Sequence, residues 1–351
     1  METASRPTGG SWEEAEQVLM RMITQNVRDR MTPEVMDDMT YYLRVLEMDP
    51  DDLSVIHVAG TKGKGSTCSM AESILRQAST QPGSAVPPGL KTGLFTSPHL
   101  IDVTERIRIN GAPVSRELYL RSFWYVYGRL AAAGEAGGID GYTPVRAIPG
   151  FFRFLFLVAT HTFISEAVDV CLMEVGLGGR LDATNIFRRP TATAVTRLDY
   201  DHVQVLGDTL TLIAGEKAGI FKRGVPAITM RQDPEAMAAL KAHAAKAEVP
   251  LLLAPAVGHL PGAAAGGPVL VGLEGEHHAQ NAAVAVGLCN AWILRHVATA
   301  ALPALPARRL PLPSEDVAPL AWPGAPEVTV GVDAEDLFVL RPEFRAGLAA
   351  C

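Results

Sequence analysis

The stretch from Val55 to Ile74 constrains this chain most: VIHVAG, then TKGKGST, then CSMAESI. Val55, Ile56 and Val58 form an apolar, β-branched run that predicts a buried strand, and Gly60, Gly63 and Gly65 break it before a helical pattern begins near Ser66. Strand, glycine loop and helix together make a cradle for an anion. Glycines let backbone N–H groups turn inward, and the following helix aims its partly positive end at the same point. Lys64 supplies a mobile positive charge for the outer phosphates of a nucleotide, and the hydroxyls of Ser66 and Thr67 are placed for a phosphate or its magnesium. Thr61 completes the loop. The motif is compressed: only Thr61 and Lys62 separate Gly60 from Gly63, and Gly65 intervenes before Ser66. Taken alone, a basic turn of this kind also arises by chance.

The 351 residues favour about two domains, and 48% hydrophobic with 20% charged residues is a globular composition. A net charge of −7 argues against holding nucleic acid by bulk electrostatics, so phosphate binding must be local. Cys68, Cys171, Cys289 and Cys351 lie far apart with no Cys-x-x-Cys pair, which fits a reducing compartment rather than a zinc site or disulfide framework. Residues 1–10 lack the layout of a secretory signal, and no apolar run reaches membrane-spanning length. The acidic Glu13, Glu14 and Glu16 argue against a mitochondrial presequence starting at this Met; an upstream start would allow one.

Helices are expected at about Trp12–Met22 and Pro33–Leu46, the second with a Thr32 cap and Pro33 at its first position. Lys91–Thr96 reads as a strand ending in TSPHL, and ERIRING as a strand entering an Asn-Gly turn. Phe151–Ser165 is apolar nearly all round, as a buried helix is. Strands follow at Val168–Val175, Ala192–Leu198, Val225–Met230 and Pro250–Leu253, with helices starting near Thr209 and Pro234 between them. This alternation predicts an α/β fold with a mostly parallel sheet and helices on both faces. Glu276–His296 is an Ala-rich helix, and the Pro-rich stretch after it marks a linker or extended tail. The last 25 residues suffice for a strand and a short helix.

Ligands in such sheets gather beyond the carboxyl ends of the strands, so residues there carry the functional reading. Glu174 ends one strand directly before a glycine loop, where a carboxylate reaches a cation; a solvated strand-end acid is an equal reading by position alone. His202 follows the next strand, and a lone histidine is more often structural. Ser97 beside Pro98 reads as a turn residue on spacing alone, and Lys217 as a solvent-facing helical partner of a nearby acid. Asp182, Thr184 and Asn185 read as turn chemistry near a phosphate, while His277 and Asn281 share one helix face. Neither a Ser/His/Asp triad nor a dinucleotide fingerprint is legible.

In order, HVAGTKGKGST, GLFTSPHL with ERIRING, PGFFRFLF, MEVGLGGRLDATN, DHVQVLGDT, EKAGIFKRGVP and GEHHAQNAA resemble the folylpolyglutamate synthases of the Mur ligase superfamily, in their eukaryotic form. The resemblance covers about Trp12 to Trp292. It implies a P-loop-type ATPase domain over residues 1–297, followed over 298–351 by a Pro-rich linker and a truncated remnant of a second ligase domain. It implies an ATP-dependent ligase that joins L-glutamate to the γ-carboxylate of a folate through an acyl phosphate. Dihydrofolate synthase activity is the close alternative within the family.

Carried over by position, Gly60, Thr61, Gly63, Lys64, Gly65, Ser66 and Thr67 would hold ATP, with His277 and Asn281 on the nucleotide side. Ser97 and Glu174 would hold one Mg2+, and Glu174 with His202 a second; a monovalent cation is a further option. Lys217 matches a lysine often carbamylated in the superfamily, and Lys64, Lys217 and His202 are the expected catalytic set. Folate and L-glutamate would be the substrates of a cytoplasmic monomer that binds no nucleic acid, with a mitochondrial form from an upstream start. In the family a segment like Trp322–Gly324 leads into a second α/β domain with a DGAHNP-like motif, and no such string occurs here. The resemblance therefore also implies an alternative: a truncated ATP-binding product with weak or no ligation.

Overall fold

The computed structural model describes residues 10–24, 32–138, 144, 146–260, 269, 271–273, 275–296 and 339–351. Among them eight strands form one sheet: β1 Val55–Ala59, β2 Thr92–Phe95, β3 Ile107–Ile109, β4 Ala112–Pro113, β5 Val170–Glu174, β6 Ala192–Val195, β7 Ala227–Thr229 and β8 Leu251–Leu253. Their order is β4-β3-β2-β5-β1-β6-β7-β8, parallel from β2 to β8, with β3 and β4 antiparallel at one edge. The mostly parallel sheet expected from the alternation is present. Asn110 and Gly111 carry positive φ at the β3–β4 turn, as the Asn-Gly pair predicts.

Ten helices are described: α1 Trp12–Thr24, α2 Glu34–Val45, α3 Lys64–Ala78, α4 Arg116–Glu135, α5 Phe151–Ser165, α6 Val203–Leu206, α7 Leu210–Ala218, α8 Pro234–Lys246, α9 Glu276–His296 and α10 Phe344–Ala349. Alternate side chains of β1 send the strand's apolar groups to opposite faces. Ile56 and Val58 join the core under α3, α9 and α10, whereas Val55 packs with α2, α4 and α5. A third cluster joins Ala59 and Val195 to α7 and α8. Helices therefore cover both faces, which explains why the strands read as continuous apolar runs.

Three local details differ from the sequence reading. Pro33 rather than Thr32 occupies the cap position of α2, and no side chain caps it. Lys64, not Ser66, opens α3, because Gly63 turns left-handed (φ 84) and starts the helix two residues sooner. The Ser115-capped α4 fills a stretch to which no element had been assigned; its buried Tyr119, Phe123, Val126 and Leu130 keep helical spacing. The Trp322–Gly324 segment lies outside the described residues.

The last helix packs on α3. Leu340, Phe344 and Leu348 enter the α3–α9 core, and the Ser73 hydroxyl donates to the Gly347 carbonyl at 2.8 Å. The backbone of Gly347 rides directly on that of Ile74, leaving no room for a side chain. Gly347→Ala is expected to cost about 1–3 kcal/mol by overpacking, read as a lowered urea midpoint. An unchanged midpoint would mean that this helix does not seat on α3 in solution.

α9 holds the central strand at both ends. At its start the Asn281 amide presses on Gly63, and at its end His296 Nε2 and Trp292 Nε1 meet the Ser54 hydroxyl at 2.9 and 3.0 Å, just before β1.

Candidate active site

Parallel pairing sets the site's level. Val58 lies opposite Glu174 and Ala59 opposite Val195, so the glycine loop leaves β1 where β5 and β6 also end. The chain order reverses direction around β1, with β5 on one side and β6 on the other, and this is where such sheets open a crevice.

The loop is tied to the β6 side. The N–H groups of Thr61 and Lys62 both donate to the Arg197 carbonyl, at 2.9 and 3.0 Å, and the Thr61 hydroxyl donates to the Asp199 carbonyl. Gly60 (φ 152) packs so tightly on Thr196 that any side chain would overlap the threonine hydroxyl. Gly63 is equally confined, since a Cβ there would come within 2.5 Å of Asn281 Oδ1. Glycine is required at both positions by conformation and by space.

Two lysines converge on one carbonyl. Lys64 Nζ donates to Gly60 O at 3.0 Å and Lys217 Nζ to the same oxygen at 2.9 Å. Lys217 is buried, contrary to the solvent-facing reading from its helix position, because α7 packs its polar end under the loop. Burial, then the neighbouring Lys64 charge, pushes the Lys217 ammonium down to about 8.

Opposite them stands Glu174, 4% exposed, whose Oε2 accepts from the Ser97 N–H at 2.8 Å and lies against Gly65. Burial raises its pKa, opposed by that N–H, the Lys64 and Arg106 charges and the Gly65 N–H. Ser97 thus reaches the carboxylate through its backbone, and the Ser97–Pro98 bond is cis.

Other expected residues lie further out. Ser66 is half-buried at the start of α3, whereas Thr67 is fully enclosed and its hydroxyl has no protein partner among the described residues. His202 is exposed at the start of α6 with left-handed backbone, and its ring faces Asp201 at 3.7 Å. Asp201 in turn reaches Lys62 at 4.0 Å, so His202 stands on the β6 side of the rim. No contact among the described residues joins it to Glu174. His277 leans on His278, with ring centroids 4.1 Å apart and planes tilted by 45°, at the start of α9, where Asn281 meets Gly63.

The donors suit magnesium in kind: one carboxylate at Glu174, hydroxyls at Ser66 and Ser97, and an enclosed Thr67 hydroxyl lacking a partner. No group of three His, Cys, Asp or Glu gathers as a metal cluster among the described residues. Magnesium needs no such cage when phosphates and waters complete its shell.

Asp182 and Thr184 form the turn expected of them, with the Thr184 N–H donating to Asp182 Oδ1, but sequence reasoning missed the buried network that joins them to His57. His57, at the centre of β1, meets the Thr184 hydroxyl at 2.8 Å; that hydroxyl donates to Asp182 Oδ1 at 2.5 Å, and Asp182 Oδ2 accepts from the Leu177 N–H at 2.9 Å. Burial pushes His57 down to about 3, so it is neutral. The network pins the glycine loop after β5 to the strand that carries the Gly60–Gly65 loop. Its sequence signal was a histidine inside an otherwise apolar strand.

No protein-family model matches the chain. A folylpolyglutamate synthase of Bos taurus, named as mitochondrial, is 46% identical over 245 residues, covering 70% of this chain and 39% of that protein. One from Arabidopsis thaliana is 44% identical over 290 residues, covering 81% and 47%. The chain spans less than half the length of these relatives. Among solved structures, the Mycobacterium tuberculosis folylpolyglutamate synthase complexed with ADP superposes with a TM-score of 0.67 at 25% identity, over 96% of this chain and 66% of that one. The Thermotoga maritima enzyme gives 0.62 at 26% identity, over 80% and 62%. A complex titled with AMPPCP and folate has a TM-score of 0.68 at 24% identity, a likeness of fold.

Proposed function

Because the chain is a sequence relative of the folylpolyglutamate synthases, we propose that it binds ATP at the glycine loop and belongs to a ligase that adds L-glutamate to the γ-carboxylate of a folate. The observation that carries this reading is the meeting of Lys64, Lys217 and the buried Glu174 at Gly60–Gly65. Two cations and one acid at the mouth of a glycine loop that opens a helix suit a nucleotide's phosphates.

A carboxylate resists attack by an amine until one of its oxygens becomes a good leaving group. Transfer of the γ-phosphoryl group of ATP to the folate carboxylate gives an acyl phosphate and ADP; the glutamate amine then displaces phosphate and an amide forms. Lys64 would neutralise charge on the transferring phosphoryl group, and the N–H groups at the start of α3 would hold its oxygens in line. Glu174, Ser66 and Ser97 would hold magnesium, which would supply charge neutralisation between the anionic reactants. Lys217, with an amine partly free near pH 8, is suited to carbamylation, which would turn a cation into a carboxylate at the same place. His202, Asn281 and His277 would border the nucleotide. The four cysteines are free, which suits a cytoplasmic setting; the Bos taurus and Homo sapiens relatives are named as mitochondrial.

Two measurements on the purified chain test this. ADP with magnesium is expected to bind, and labelled glutamate to enter folate only when ATP is supplied. No ADP binding at millimolar concentration would end the nucleotide reading. Binding without incorporation would end the ligase reading for this chain while leaving the nucleotide site.

A further inference from the structure

Arg106 is 7% exposed and is a cation whose charge no residue neutralises by contact. Its one described side-chain hydrogen bond runs from Nε to His99 Nδ1 at 2.8 Å, and its guanidinium lies over the Phe151 ring, 5.3 Å from the centroid. Among the described residues neither terminal nitrogen donates to a protein group, and no acid stands within ion-pair distance. Glu174 is near enough for its charge to be felt, yet no ion pair is made. A buried, unpaired charge is costly in a folded protein, so an anion from outside is the natural partner.

The surroundings point the same way. Phe151 is the first residue of the fifteen-residue α5, whose cap, Gly150, offers no side-chain hydrogen bond to the first turn. The guanidinium thus sits against the Phe151 side chain at the first turn of α5, with no acid among the described residues to neutralise it. Because His99 Nδ1 accepts from Arg106, its remaining proton sits on Nε2, and the ring stays neutral as a further donor. A substrate carboxylate approaching Glu174 would meet like charge and needs a cation beside it.

We propose that Arg106, with His99 beside it, forms an anion subsite next to the glycine loop that seats the substrate carboxylate awaiting phosphorylation. The inference rests on the ligase reading above and names the group that orients its acceptor. Arginine suits the task because its fork gives a carboxylate two parallel donors.

The test titrates ADP and folate separately into the full chain and into its Arg106→Gln and Arg106→Lys variants. ADP affinity is expected to stay within about twofold, while folate affinity falls about tenfold or more in Gln and less in Lys. Folate carrying a γ-carboxamide should bind the unaltered chain more weakly by a similar factor and lose nothing further in the Gln variant. Equal folate affinity in all three proteins overturns the subsite. So does a carboxamide that binds the unaltered chain as tightly as folate, a result that needs no variant to fold. A chain that binds ADP but no folate overturns the folate reading itself, and the subsite falls with it.

Discussion

Lys64→Met is expected to lower ATP turnover about a thousandfold while moving the thermal midpoint by no more than about 2 °C. Lys64 contributes one hydrogen bond, to Gly60 O, from a half-buried position, and Lys217 still holds that carbonyl. Its loss therefore leaves the fold anchored and removes the mobile charge at the phosphates. Relief of like charge should also let the Lys217 ammonium rise from about 8, seen as slower modification by cyanate at neutral pH. Turnover within tenfold of the unaltered protein would remove Lys64 from the chemistry.

Glu174→Gln is expected to cut turnover at least about a hundredfold and yet to stabilise the protein at neutral pH. Gln keeps an oxygen for the Ser97 and Gly65 N–H groups and loses the buried charge. The sign follows from the raised pKa: the folded carboxyl holds its proton at pH values where the unfolded one, near 4.5, has released it. Stability contributed by the protonated form is complete below 4.5 and fades as pH climbs through the folded value. The two proteins should thus unfold alike in acid and diverge on the way to neutrality, as urea midpoints across a pH series will read. A Gln variant less stable than the parent at pH 7 would show that the ionised carboxylate is already well solvated by its donors.

What could be read from the chain beforehand was whatever local pattern determines. α5 and α9 have the predicted limits because fifteen and twenty-one residues of unbroken helical sequence leave little choice, and Asp233 and Thr209 cap their helices as such residues do. The turn from β1 into α3 was legible because three glycines close together break the strand and open the helix. Lys217 was not: its burial depends on α7 lying beneath a loop 157 residues earlier in the chain. Arg106 was equally hidden, since its surroundings come from β5, α5 and the Ser97–Asp102 loop, which meet only in the folded sheet. His57 stood in plain view in an apolar strand, but its partner Thr184 is 127 residues away.

The bracing of β1 by α9 has a mechanical meaning. One stiff rod touches the glycine turn at Gly63 and the foot of the same strand at Ser54, so turn and strand cannot tilt independently. A displacement of the turn would be carried along α9 to the other end of β1, and a substitution at His296 or Trp292 is expected to loosen the turn from a distance. The glycine turn is held from behind by a splint.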